Sequence, residues 1–123
     1  MFLVLRALWE LTRYDITNST RGLRATHSGL RRMQVRVCSS PKPLEQDVVR
    51  AVDLAICFYL KRVRCLQRSV VTTRLLRCCG ADARLIIGYR PRPFCSHAWV
   101  EVGGRVVNDS ARYQRLYQVL ESV

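Results

Sequence analysis

Three residues in the second half of the chain could together cleave an amide bond: Cys65, His97 and Asp109. A cysteine thiol becomes a strong nucleophile when it loses its proton, and it needs a base that accepts this proton and later returns it to the leaving group. An imidazole is the usual base, and a carboxylate that hydrogen-bonds the imidazole fixes its tautomer and orientation. These residue types therefore meet the requirements of a Cys-His-Asp catalytic triad.

The periodicity of the chain predicts that Cys65 stands at the start of a helix. Apolar residues recur at helical spacing over about 44–62, and a second helix is predicted from about 65 to a stop at Gly80. The partial positive charge at a helix N-terminus favours a thiolate over a thiol. No Gly or Pro marks a break within 61–64, so a single continuous helix is the alternative.

After Gly80 the apolar period changes from 3.6 to 2, which predicts strands. The predicted strands cover residues 83–89, 97–102 and 105–109. Gly103 and Gly104 predict the turn of a hairpin between the last two strands. His97 then opens the first strand of the hairpin, and Asp109 ends the second.

The length of this turn decides whether His97 and Asp109 meet. A two-residue loop at Gly103-Gly104 sets His97 opposite Ser110 and turns Asp109 to the other face of the sheet. A three-residue loop that includes Val102 sets His97 opposite Asp109. For the triad we therefore expect the three-residue loop or a bulge.

The other segments complete an α+β prediction, with helices packed on a small antiparallel sheet. They comprise a short amphipathic helix near the N-terminus, a loop over 15–29, a short strand over 33–37 and a C-terminal helix over about 114–121. We interpret residues 1–43 as an N-terminal helix and irregular segment, and residues 44–123 as the core of one compact domain.

The charge of the chain suggests which partners it could attract. Its 123 residues carry 21 basic and 9 acidic side chains, a net charge of +12. Such a surface attracts acidic peptides, nucleic acid or anionic membranes, although the basic residues are scattered and no nucleic-acid motif is present. The sequence predicts no membrane span and no signal peptide, so we expect a cytoplasmic protein.

The six cysteines are expected to be free thiols in that compartment. No C-x-x-C occurs, so the usual spacing of a structural zinc site is missing. Cys95 and His97 could form half of a metal site, but no second pair is nearby in the sequence. We therefore predict neither a metal nor another cofactor.

The residues that follow Cys65 resemble a known family. The matching segments are Cys65-Leu66-x-Arg68, Leu75-Leu76-Arg77, Gly80-Ala81-x-Ala83-x-Leu85-Ile86-Ile87-Gly88, Pro93-Phe94, His97-Ala98-Trp99-Val100-Glu101 and Val107-Asn108-Asp109. In this order they resemble the lasso-peptide leader peptidases, which are bacterial transglutaminase-like cysteine proteases. The resemblance implies a papain- or transglutaminase-like fold and a catalytic triad of Cys65, His97 and Asp109.

The resemblance implies a peptidase that acts on one precursor peptide. The enzyme would cut a ribosomal precursor peptide between leader and core, so that a separate ATP-dependent cyclase can close a macrolactam on the new amine. A small, separate leader-binding protein would deliver the precursor, because this chain looks like the stand-alone peptidase half. Trp99 and Phe94 are candidates for the wall of the substrate cleft, and the backbone N–H of Cys65 is a candidate donor to the oxyanion.

Two other functions stay open at this point. A basic module that binds nucleic acid or protein would use the three residues only structurally, and its affinity for polyanions would fall steeply with salt. Acyl transfer to an amine would use the same triad and the same acyl-enzyme as hydrolysis, with a different acceptor.

Overall fold

The structure is a computed structural model that describes residues 2–35, 45–91 and 94–123. Within these ranges the elements are α1 (Phe2–Arg21), α2 (Leu23–Arg32), α3 (Glu45–Phe58), α4 (Cys65–Cys78), β1 (Ala83–Pro91), β2 (Phe94–Val102), β3 (Arg105–Val106), α5 (Arg112–Leu116) and β4 (Gln118–Ser122). The strands form an antiparallel sheet in the order β3-β2-β1-β4. The predicted α+β class is therefore confirmed. None of the described helices combines the length and the apolar character that crossing a membrane requires.

The N-terminal region contains more helix than its sequence predicts. α1 continues to Arg21, and α2 follows directly after Gly22, so the loop expected over 15–29 is wrong. Packing of α1 on α3 and α4 buries Ala7 and Leu11 completely, and this burial outweighs the low helix propensity of the polar residues that follow. Gly22 permits the break between the helices because its φ is +80°.

The strand expected over 33–37 is not found in the part of it that the structure describes. Residues 33–35 form neither helix nor strand, and residues 36–37 lie outside the described ranges. Met33 instead caps α2, and its backbone N–H donates to the carbonyl of Leu30. Alternating apolar residues alone therefore gave the wrong prediction here, because no described strand pairs with this segment.

α3 and α4 are separate helices, which excludes the continuous helix. α3 ends at Phe58, earlier than expected, and residues 59–64 are not helical. Two side chains anchor this connection: the Tyr59 hydroxyl donates to the carboxylate of Asp15 on α1, and Val63 packs against the core. Arg64 is extended, with φ −89° and ψ 165°, so α4 begins at Cys65 as predicted.

β1 and β2 form the centre of the sheet and pair over their full length. The expected C-terminal helix is wrong for most of its range, because only the short α5 is helical and β4 adds a strand beside β1. Leu85 and Val123 exchange two backbone hydrogen bonds, and the Tyr89 hydroxyl donates to Gln118 at 2.7 Å. These contacts come from distant residues, so the local pattern of β4 does not show them.

α4 is the central helix, and its sides contact α1, α3 and both central strands. Val71 and Leu75 belong to the buried cluster that also contains residues of α1, α3 and β2. Arg74 pairs with the buried Glu10 of α1 at 2.8 Å. Because α4 is held on several sides, its first residue has a fixed position relative to β2.

Candidate active site

Cys65 meets β2 at the first turn of α4. The sulfur hydrogen-bonds the imidazole of His97 and the backbone N–H groups of Ala98 and Leu66. These contacts lower the pKa of the Cys65 thiol below its usual value; the bond to His97 contributes most, and half-burial of the sulfur acts in the opposite direction. The thiolate is therefore favoured at this position.

His97 connects the thiol to a carboxylate. Its Nε2 lies 2.9 Å from Oδ2 of Asp109, which leaves Nδ1 for Cys65. The pKa of His97 is raised, first by its hydrogen bond to Cys65 and then by Asp109, while partial burial lowers it. The second oxygen of Asp109 accepts the backbone N–H of Ser110 at 2.8 Å, so the carboxylate is itself held in place. The three predicted residues thus form a continuous hydrogen-bonded chain.

The turn that leads to Asp109 differs from the expected one. Val102 pairs with Arg105, so Gly103-Gly104 is a two-residue loop. The expectation of a three-residue loop or a bulge is therefore wrong, because the pairing of β2 with β3 also contains no register shift. Both glycines have positive φ, 59° and 79°, which suits the tight turn of a hairpin. If the strand continued in this register, Asp109 would face away from His97. It does not continue, because β3 ends at Val106.

Asn108 shows how the chain leaves the sheet. Val107 N–H donates to the carbonyl of Val100 at 3.0 Å, as in a continued strand. The return bond is different, because Val100 N–H donates to the side-chain Oδ1 of Asn108 at 2.9 Å. A side-chain amide thus occupies the place of a main-chain carbonyl. The backbone departs from the strand path, and Asp109 turns towards His97.

Aromatic rings surround the imidazole. Tyr113 of α5 stacks on His97 with ring centroids 4.1 Å apart, and Trp99 lies 6.3 Å away on the next position of the same strand face. Sequence analysis missed Tyr113, because nothing in the sequence around α5 marks its contact with a residue on β2. It also gave no role to Asn108, although Asn108 precedes Asp109 in one of the matching segments.

The two residues proposed for a cleft wall have opposite surroundings. Trp99 is fully buried, and its Nε1 donates to Glu101 at 2.8 Å. Because Trp99 is buried, it cannot line a cleft, so the prediction of a cleft wall is wrong for this residue. Trp99 instead belongs to the packed interior next to the site. Phe94 is 76% exposed at the start of β2 and is accessible to a ligand.

A cavity of about 480 Å³ opens beside the first turn of α4. Arg64 and Leu66, the neighbours of Cys65, line one side of it, and Tyr14 of α1 lines another. Burial raises the pKa of Tyr14, and the nearby carboxylate of Asp15 and the sulfur of Cys65 add to this effect. The other lining residues are Asp15, Asn18, Lys61, Arg62 and Gln67. Three cations and one carboxylate therefore give this cavity a positive potential next to Cys65.

Comparisons with known proteins identify the family of this chain. A family model described as the transglutaminase-like superfamily matches residues 1–122. The microcin J25-processing protein McjB of Escherichia coli is 40% identical over 73 residues, which are 58% of this chain and 35% of McjB. The chain thus matches about a third of the length of this curated relative. No solved structure matches the chain. Because the family model covers almost every residue, the chain belongs to the transglutaminase-like superfamily.

Proposed function

We propose that this chain is a cysteine endopeptidase that removes the leader from a ribosomally made lasso-peptide precursor. The observation that carries the proposal is the hydrogen-bonded chain from the Cys65 thiol through His97 to Asp109, with 2.9 Å between Nε2 and Oδ2. The family membership and the similarity to a microcin-processing protein support this choice of substrate class.

The first half of the proposed reaction forms an acyl-enzyme. The Cys65 thiolate attacks the carbonyl carbon of the bond between leader and core. The backbone N–H of Cys65 donates to the oxyanion, as the start of a helix allows. Imidazolium of His97 then gives its proton to the amine nitrogen, the C–N bond breaks, and the core peptide departs with a new N-terminal amine. The leader stays on Cys65 as a thioester.

The second half hydrolyses this thioester. Neutral His97 accepts a proton from water, and the resulting hydroxide attacks the thioester carbonyl. The C–S bond breaks, the leader departs with a free carboxylate, and Cys65 is again a thiolate beside imidazolium. Asp109 stabilises the charged ring in the resting enzyme and holds its orientation throughout.

The basic cavity beside Cys65 is the proposed path of the peptide. It is lined by Arg64 and Leu66, the neighbours of Cys65 in the chain, and its volume of about 480 Å³ accommodates peptide side chains. Its positive potential attracts peptides with acidic residues. Exposed Phe94 provides an apolar contact on the strand that carries His97.

The proposed reaction involves two further proteins and takes place in the cytoplasm. A small leader-binding protein delivers the precursor, and a cyclase uses the amine that cleavage releases. We place the reaction in the bacterial cytoplasm, where a ribosomal precursor is made. Residues 44–123 form the peptidase core, and α1 packs on this core through Ala7 and Leu11.

The test is a cleavage assay with the precursor and its leader-binding protein, with product masses measured. Cys65→Ala and His97→Ala are expected to abolish cleavage, whereas the control Cys57→Ser, at an exposed thiol of α3, keeps it. Undiminished cleavage by either triad variant refutes the proposal. A basic binding module would instead retain its salt-sensitive binding of polyanions in Cys65→Ala.

A further inference from the structure

The edge of β2 next to His97 has unusual partners. β3 pairs only with Glu101 and Val102, so in the described part of the chain no strand lies beside the preceding residues on this side. An unpaired strand edge leaves backbone groups that must find other hydrogen bonds when they are buried. Besides the sulfur of Cys65, which accepts the N–H of Ala98, two side chains supply them. Asn108 accepts the N–H of Val100, and the Ser69 hydroxyl donates to the carbonyl of Ala98 at 3.1 Å.

The two side chains also bind each other. Nδ2 of Asn108 lies 3.2 Å from the hydroxyl oxygen of Ser69, and the two residues are 5% and 1% exposed. The directions of the bonds are consistent: the Asn108 amide donates to Ser69, whose single hydroxyl proton goes to Ala98. The hydroxyl of Ser69 thus donates once and accepts once, and the amide of Asn108 has one favourable orientation, with Oδ1 towards Val100 and Nδ2 towards Ser69.

The pair of Ser69 and Asn108 connects the segments that carry Cys65 and Asp109, the two hydrogen-bond partners of the imidazole. Ser69 is one helical turn after Cys65 on α4, so it shares a face with the nucleophile. Asn108 directly precedes Asp109. Ser69 holds the backbone of Ala98, the neighbour of His97 in β2, and Asn108 holds that of Val100, two residues further along the same strand. A single buried contact therefore connects the position of the thiol to that of the carboxylate.

We propose that Ser69 and Asn108 are positioning residues that set the thiol of Cys65 and the carboxylate of Asp109 on the same imidazole. The proposal rests on the proposed function, because it assumes that the thiol, imidazole and carboxylate act together. Neither residue touches the reacting atoms. The side chain of Asn108 replaces one main-chain bond just beyond the end of β3 at Val106, where the chain turns towards Asp109. Ser69 connects α4 to the edge of β2 that β3 leaves unpaired.

The test measures the thiolate of Cys65 without any substrate. Iodoacetamide reacts with thiolates, so the rate at which Cys65 is alkylated reports its ionisation as pH is varied. Peptide mapping by mass spectrometry resolves Cys65 from the exposed thiols of Cys57 and Cys95, which serve as internal references. In the wild type, alkylation of Cys65 is expected to persist at pH values below the usual range of a thiol.

The decisive comparison is between Asn108→Ala, Asp109→Ala and the double variant. If Asn108 acts by placing Asp109, each single variant raises the midpoint for Cys65 by about one pH unit. The double variant then raises it no further. An Asn108→Ala midpoint equal to that of the wild type, or effects that add in the double variant, would overturn the proposal.

Two more variants keep the test decisive. Ser69→Ala is also expected to raise the midpoint of Cys65 alkylation. If circular dichroism shows that Asn108→Ala does not fold, the result for Ser69→Ala tests the positioning role in its place. Thr72→Ala is the matched control, because it removes another buried hydroxyl of α4 that binds only its own helix. An equal shift in Thr72→Ala would show general loosening of α4 and overturn the positioning role.

The outcome for the wild type separates this proposal from the proposed function. A wild-type Cys65 that reacts only at high pH would overturn both. A wild type that reacts at low pH, together with an Asn108→Ala variant that does the same, would overturn the positioning role alone.

Discussion

Tyr113 and His97 lie face to face, with ring centroids 4.1 Å apart and an angle of 26° between the ring planes. The face of a phenol ring carries partial negative charge, so it attracts a cation that lies over it. The proposed resting state has a charged imidazole, and Tyr113 covers one of its faces. We infer that the ring of Tyr113 stabilises imidazolium relative to neutral imidazole.

Replacing Tyr113 by leucine should therefore lower the pKa of His97. A cation–π contribution of about 0.7 kcal/mol corresponds to about half a pH unit. We expect the alkaline limb of the profile of kcat/KM against pH to move down by this amount in Tyr113→Leu. Tyr113→Phe keeps the ring and should titrate like the wild type. Equal shifts in both variants would assign the effect to the hydroxyl and contradict the stacking argument.

The pH dependence of the wild type follows from two opposite shifts. In the proposed mechanism, the active form needs Cys65 deprotonated and His97 protonated. The lowered pKa of Cys65 places the acid limb below the usual range of a thiol, and the raised pKa of His97 places the alkaline limb above 6.5. We expect a bell-shaped profile of kcat/KM whose two limbs belong to the coupled pair. A single rise through the ordinary pKa of a thiol would show that no ion pair forms.

Asp109→Asn tests the charge of the carboxylate separately from its hydrogen bond. The amide oxygen can still accept from Nε2 of His97, but the negative charge 2.9 Å from the ring is gone. We expect the alkaline limb to fall by about one pH unit, since a charge at this distance changes a pKa by roughly that much. The measurement is the same pH profile of kcat/KM. An alkaline limb unchanged in Asp109→Asn would mean that Asp109 only orients the ring.

Some of this site could be predicted from local sequence. The start of α4 at Cys65 and the pairing of β1 with β2 follow from apolar periodicity and from the residues that interrupt it. β4 could not be found in this way, because its strand character depends on β1, about 30 residues earlier along the chain. The same holds for the length of α1, which depends on packing against α3 and α4.

The prediction of how the chain reaches Asp109 was wrong for a similar reason. A rule for hairpin register assumes that both strands continue, and it then places His97 and Asp109 on opposite faces. β3 instead ends at Val106, and the Asn108 amide binds Ser69, which lies 39 positions away in the sequence. No local pattern around Asn108 reveals that partner, so a three-residue loop or a bulge was the expected way to join His97 to Asp109.

Gly88 provides a test of the packing beneath the site. It pairs with His97 across the sheet, and a Cβ at this position would lie 2.6 and 2.8 Å from ring atoms of Trp99. Trp99 is fully buried and cannot move aside without displacing its neighbours. Gly88→Ala is therefore expected to lower the free energy of unfolding by about 1–3 kcal/mol. That range corresponds to a fall in Tm of about 4–12 °C in thermal denaturation.

Gly29→Ala is the matched control for this substitution. Gly29 lies in α2, and nothing comes within 4 Å of a Cβ built there. Alanine is a better helix former than glycine, so Gly29→Ala should leave Tm unchanged or raise it. If Gly88→Ala melts no earlier than the wild type, Trp99 has room to shift. In that case Trp99 does not hold the imidazole of His97 in a fixed position, and the argument that Tyr113 stabilises a fixed imidazolium ring would lose its physical basis.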